Sequence, residues 1–396
     1  MINNKIRIAF VFLFITGIIK AQNTTNVPTS MYGLGELSMG DGGKYSGLGN
    51  AAIALNRKGF INTQNAACIT SIDSTEFVFD FGISASYSKY SMLGETSSAG
   101  TGNPNRISLG VRMLPKWYTV IGVAPYSSVG YMIKSVNEIE GTADSYISSL
   151  FEGDGGLYRF YFTNAYQLRK NISVGVNVGM ISGKIEQTET DEGAVVKRES
   201  KKSALYTDFG LYYAFTKKCS FGLVYGMATN VSQKNTLTYD NSSVDTDLDT
   251  YYHNDNQYIP QRVGVGLTYD YKKITLTADY NWIQWSRNKS SITSVEYIDQ
   301  HKLNIGMIYN VIPQRRSVEL MCGVGISNSY IKFRQGKMNN LDLNAGIAIP
   351  FRESVLSIGI SWKKQLNTKI NLMQEDKLSL NFNMTFGERM SKGKIN

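Results

Sequence analysis

The stretch Leu378 to Phe386 reads LSLNFNMTF and alternates without a fault. Leu378, Leu380, Phe382, Met384 and Phe386 are apolar, and Ser379, Asn381, Asn383 and Thr385 between them are small or polar. Period two is the signature of a β-strand with one greasy and one polar face. Such a strand either covers a soluble core or turns its apolar face to lipid and its polar face to a wet interior. The length of the stretch is close to the roughly 9–11 residues with which a tilted strand crosses a bilayer.

The pattern recurs. QRVGVGLTYDY sets Val263, Val265, Leu267, Tyr269 and Tyr271 against Arg262, Gly264, Gly266, Thr268 and Asp270. KITLTADYNW, NISVGVNVGM, LDLNAGIAI and VLSIGISW alternate in the same way. Short connections with turn chemistry fall near Pro115, Lys170, Lys217, Lys272, Pro313 and Pro350. Longer polar ones span Ser91–Asn105, Lys134–Gly155, Gln187–Lys197, Asp240–Gln257, Arg287–Thr293, Phe333–Lys337 and Gln365–Glu375. They join about fourteen strands, starting near Thr75, Arg106, Trp117, Gly156, Ile172, Val196, Cys219, Tyr258, Ile274, Val295, Ser317, Lys337, Val355 and Lys377. An even strand number with short turns on one side and long loops on the other predicts an all-β fold, a transmembrane antiparallel β-barrel. A soluble sandwich gives no reason for that alternation. Trp117, Trp282, Trp285 and Trp362 fall near strand ends, where interfacial aromatic belts form.

Composition agrees. The 37 Gly and 25 Tyr suit closely packed strands with interfacial aromatics. Lys5 and Arg7 followed by the apolar run Ile8–Ile19 read as a signal peptide over residues 1–21, with Ala21-Gln22 as the cleavage point. The destination is then the cell outer membrane. Cys68, Cys219 and Cys322 are too few and too scattered for a disulfide framework. The net charge of +9 is spread along the chain and suits anionic lipid head groups better than nucleic acid.

Residues 22–74 lack the period-two pattern and are rich in Gly, Asn and Ala. A fourteen-stranded barrel has a lumen too wide for wall side chains to fill, so this segment is expected to be a folded N-terminal plug. The barrel itself is assigned to residues 75–388 and a short tail to 389–396. A closed barrel leaves no edge strand exposed, so a monomer is expected.

GLGNAAIAL (Gly47–Leu55), NAACITSID (Asn65–Asp73), VAPYSSVGYMI (Val123–Ile133) and IPQRVGVGLTYDYKKITLTADYNWIQWS (Ile259–Ser286) together resemble the FadL-type outer-membrane transporters of long-chain fatty acids and other hydrophobic compounds. The resemblance covers nearly the whole mature chain, and its C-terminal half, including AGIAIPFRESVLSIGISW, is similar to the members found in Bacteroidetes-type bacteria. It implies a fourteen-stranded barrel with an N-terminal hatch, a hydrophobic pocket below the loops, and sideways exit at a kink in the third strand. Gly47, Gly49, Asn50, Asn65, Ala66 and Ala67 fall on the hatch elements and become gating candidates. Asn65-Ala66-Ala67 lacks the Pro of the family's Asn-Pro-Ala element, and the chain runs ten residues past Phe386. For the kink, Pro125 removes a ladder donor within the third strand, and Ser127, Ser128 and Gly130 follow it. A simple edge or bulge is the other reading of that proline.

DSYISSLF (Asp144–Phe151) reads as a short loop helix. Its Tyr146, Ile147, Leu150 and Phe151 either capture a hydrophobic ligand or pack over the barrel mouth. Asp240, Asp245, Asp247, Asp249 and Asp255 form a solvated acidic loop or, less simply, a Ca²⁺ site. GLGNAA lacks the strand–helix context of a dinucleotide site. His253 and His301 form no constellation with a nucleophile, so neither an enzyme, a metal centre nor a cofactor is expected. Passive uptake of a hydrophobic small molecule such as a long-chain fatty acid is the leading expectation. A non-transporting barrel serving as partner or scaffold in protein secretion is the alternative.

Overall fold

The structure, a computed structural model, describes residues 27–38, 43–58, 60–73 and 76–389, apart from breaks at 93, 139–145, 192–193, 242–249, 254–256, 291–293, 313–316, 334–335, 352–353 and 368–373. The expected signal peptide, most of the acidic loop and all but the first residue of the C-terminal tail lie outside the described residues.

Fourteen antiparallel strands form the wall. They are β1 (Glu76–Met92), β2 (Glu95–Leu114), β3 (Trp117–Glu138), β4 (Tyr146–Arg169), β5 (Ile172–Asp191), β6 (Ala194–Ala214), and β7 (Cys219–Gly226, continued by Ser232–Asn241). After β7 come β8 (Arg262–Tyr271), β9 (Ile274–Ile283), β10 (Gln300–Asn310), β11 (Glu319–Phe333), β12 (Gly336–Phe351), β13 (Ser354–Asn367) and β14 (Gln374–Arg389). Each pairs with its sequence neighbours, and β14 closes the ring on β1, from Glu76↔Arg389 to Ser91↔Gln374. The opening stretch LSLNFNMTF is the middle of β14, and Leu378 and Phe386 lie exposed on the barrel's outer, apolar face. The polar partner Asn383 is buried inside, donating to Asp80 at 2.6 Å.

Three expectations need correction. Most of the long polar connections are wall. β2 begins at Glu95 rather than Arg106, and β4 at Tyr146 rather than Gly156. Beyond the apolar belt both faces of a hairpin meet water. The alternation fades there, yet the backbone groups still need partners and the ladder continues. The expected loop helix is strand for the same reason: Tyr146–Phe151 pair with Ile133–Glu138 of β3. Trp117 and Trp362 are exposed on the outside, but Trp285 is buried, stacked on Tyr330 with ring centroids 4.5 Å apart.

Residues 27–73 lie inside the ring. Backbone or side-chain atoms of Ser46–Ala67 come so close to Gly175, Gly210, Gly222, Gly264, Gly323 and Gly359, on strands from β5 round to β13, that a methyl group at any of them would clash. A segment that touches so many sides of a closed wall has to be within it. These glycines occupy the polar phase of the strand alternation, so the missing side chains make the room. Tyr45, Leu48, Ile53, Leu55, Ile61 and Ile69 are fully buried there. Each contributes roughly 1.5–3 kcal/mol of apolar burial.

Candidate functional site

Two groups of contacts fix the inner segment. The first lies toward the short-turn end. The Asp279 carboxylate on β9 accepts the backbone N–H groups of Ala52 and Ile53 at 2.6 and 2.8 Å. Asn65 is fully buried; its Nδ2 donates to Ile53 O (2.8 Å) and Leu211 O (3.0 Å), and its Oδ1 caps the turn Ala66–Ser71 through Ala67 N. Where the proline of the family's Asn-Pro-Ala element is missing, this side chain holds the start of the turn. Lys44 is ion-paired with Glu319, lies 3.3 Å from the Phe60 ring centre, and is almost wholly buried. Burial drags its pKa down to about 8, against the pull of Glu319.

The second group lies at the third strand. Pro125 and the bulged Tyr126 shift the β3–β4 register between Pro125↔Tyr158 and Ser127↔Leu157. Pairing between β2 and β3 runs only from Leu114↔Trp117 to Ile107↔Val123. Among the described residues no pair joins the two strands beyond Val123, although both continue for more than ten residues. β2 carries its own proline and register shift at the same level, where Arg106 pairs with Gly82 but Pro104 pairs with Ile83. The wall therefore parts between β2 and β3 in the half away from the short turns. At its base an inward ion pair, Arg106 with Asp80, ties β2 to β1.

The inner segment lines the freed edge of β3. Glu36 and Leu37 form a two-residue strand antiparallel to Ser128 and Ser127. Val27 N donates to Gly130 O (2.7 Å), Ser30 Oγ accepts from Gly130 N (3.1 Å), and Ser38 N donates to Tyr126 O (2.9 Å). The Glu36 carboxylate crosses to Lys377 of β14 at 2.8 Å. Burial pushes the Glu36 carboxyl up, but the charges of Lys377 and Lys363 outweigh it and hold it below the usual range.

A cavity of about 420 Å³ lies above the anchored part of the segment and reaches the parting, where Pro104, Ala124, Pro125, Ser127 and Ser128 line it. The hydrophobic pocket that the family resemblance implied is not what lines it. Ser84, Ser86, Asn281, Asn304, Ser361 and Asn381 cover its wall, with Arg262, Lys302, Lys363 and Lys377 among them. The Nε1 of Trp285, the Oγ of Ser327 and the Nδ2 of Asn344, on residues that line it, are buried and have no hydrogen-bond partner among the described residues.

Pro125, Ser127, Ser128 and Gly130 lie on β3 beyond its last pair with β2, at the parting. Gly47 and Gly49 lie against β11 and β12, and Asn65, Ala66 and Ala67 against β5 and β6, so the structure does not bring the two groups together; Gly49 and Asn50 line the cavity. Gly49 and Asn50 take positive φ in the turn above β11 and β12. Tyr146 and Ile147 are exposed at the outer end of β4, while Phe151 packs with Met31, Val129, Tyr131 and Ile185. Sequence reading missed Pro104, Glu36, Asp279 and Lys377. Only Pro104 carried a local signal, a second proline on the strand that faces the first.

One family model, described as BamG, matches residues 1–396. The chain belongs to the BamG family. No curated protein matches it. The chain is similar to solved structures at low identity. To the Pseudomonas putida toluene transporter TodX it is 13% identical, with a TM-score of 0.64 over 88% of this chain and 98% of that one. To a Pseudomonas aeruginosa FadL homologue it is 12% identical, with a TM-score of 0.62 over 91% and 100%. To the CymD monoaromatic hydrocarbon channel it is 15% identical, with a TM-score of 0.60 over 88% and 98%. At these identities the likeness is one of fold.

Proposed function

We propose that this protein is an outer-membrane channel for passive uptake of hydrophobic molecules such as long-chain fatty acids, gated by residues 27–73 acting as a hatch, with sideways exit near the third strand. The observation that carries the reading is the continuity of the lumenal cavity with the parting between β2 and β3. A ligand leaving there enters lipid without rehydrating its apolar surface. On the outer wall just below, Phe79, Ile107, Ile121, Phe160 and Phe162 form an apolar hollow that suits a departing chain. The solved channels of like fold are described as carrying toluene and monoaromatic hydrocarbons. The cationic lining favours an acid with an apolar tail over a bare hydrocarbon, because its carboxylate can meet Lys302, Lys363 and Lys377.

The test is uptake of labelled oleate by purified barrel in liposomes, with bulky side chains placed at Ser127, Ser128 and Gly130. Saturable uptake that these substitutions abolish is expected. Uptake that survives them moves the exit elsewhere, and absence of uptake overturns the reading. The second reading, a partner in protein secretion, draws on the same polar lining, since a scaffold needs no greasy pocket. It expects no oleate uptake and capture of a protein through the outer hairpins.

A further inference from the structure

We infer that Glu36 is a built-in stand-in for the anionic head of the ligand, and that an incoming carboxylate opens the parting by taking its place. The inference rests on the uptake reading and adds what triggers the exit. Residues 27–38 form a strap across the parting. One side is sewn by main chain to the freed edge of β3, from Tyr126 to Gly130. The other side is held by a side chain, the Glu36 carboxylate on Lys377 of β14, with Lys363 of β13 close by. β1 and β2 lie between β14 and β3, and the outer half of β2 borders the parting. The strap thus spans the opening, fixed at both sides.

Lys377 and Lys363 line the cavity that reaches the parting. An amphiphile that places its carboxylate there meets the ammonium groups that hold Glu36. Lys363 also faces Glu375 at 3.4 Å, so the cluster is not in surplus of positive charge. A second carboxylate cannot be added without like-charge repulsion, and it has to displace Glu36. Once Glu36 is free, no side chain among the described residues ties the strap to β14. It keeps the two-residue ladder to Ser127–Ser128, the flanking bonds to Tyr126 and Gly130, and the bonds of Tyr330 Oη to Gly35 O and Lys202 Nζ to Gly33 O. Ladders that short are marginal by themselves. The binding energy of the head group is thereby coupled to release of the strap, as any ligand with differential affinity for two states requires.

The experiment uses the full chain, with Cys219 and Cys322 changed to Ser and the fully buried Cys68 kept. Leu37→Cys and Ser127→Cys, opposed in the short ladder, are oxidised in membranes with and without oleate. Oleyl alcohol serves as the head-group control. Oleate is expected to lower the rate of disulfide formation about tenfold, a population shift of one decade, and oleyl alcohol to leave it unchanged. Adding Glu36→Gln is expected to give the slow rate without any ligand. In the Cys-pair protein the formed disulfide is expected to block oleate uptake, and reductant to restore it. Equal rates with and without oleate, or a Glu36→Gln rate like that of the parent, overturn the strap even if uptake is observed. An equal effect of oleyl alcohol overturns the stand-in role of Glu36. Absence of uptake overturns the transport reading, and the oxidation rates still decide the strap.

Discussion

Single residues carry the anchoring of the inner segment, and Lys44 shows how sharply. Its ammonium is buried against Phe60 and Glu319, with a pKa of about 8 in place of an ordinary 10.5. A lysine whose pKa falls on docking binds fewer protons docked than released. Between pH 8 and 10.5 the released form is the more protonated, so docking strengthens as pH rises through that window. Below pH 8 both forms are charged and the term is constant. Proteolysis of residues 43–58 in detergent is therefore expected to slow between pH 8 and 10, and Lys44→Gln to remove that slowing. Asp279 acts differently. It supplies one carboxylate oxygen to two buried N–H groups, so its loss would strand both donors, each at a cost of about 1–3 kcal/mol.

Among the elements, β2 and β3 behave as two strands that share a ladder for only part of their length. In β2, residues Ile107–Val111 have partners on both sides, whereas Glu95–Arg106 have β1 on one side only. Amide exchange is expected to divide β2 at Arg106. The amides of 107–111 should be protected throughout. In 95–106 protection should alternate, because every second amide points into the parting. Uniform protection along β2 would mean that the wall is closed. Alternation in the sequence located these strands, yet it placed the start of β2 eleven residues late. The segment ETSSAGTGNPN is small and polar on both faces, so no period betrays it as wall.

At the scale of the whole molecule, the barrel encloses a segment that packs into one half of its lumen and leaves a polar cavity in the other. A barrel of fourteen strands with nothing inside would hold a water-filled passage. Deleting residues 27–73 is expected to turn a barrel with little ionic conductance in planar bilayers into one with steady open-channel current. Equal conductance in the two proteins would show that the segment does not seal the lumen.

The sequence by itself determined the wall, because lipid outside and polar matter inside impose period two on every spanning strand. It determined the strand number, the polar-phase glycines, the segment with no alternation and the proline in β3. Tertiary structure alone decided what the glycines make room for, where β2 and β3 part, and that Glu36 reaches Lys377 across 341 positions of chain. Those contacts join residues far apart in sequence. Nothing local in their patterns records the closing of the ring that brings them together.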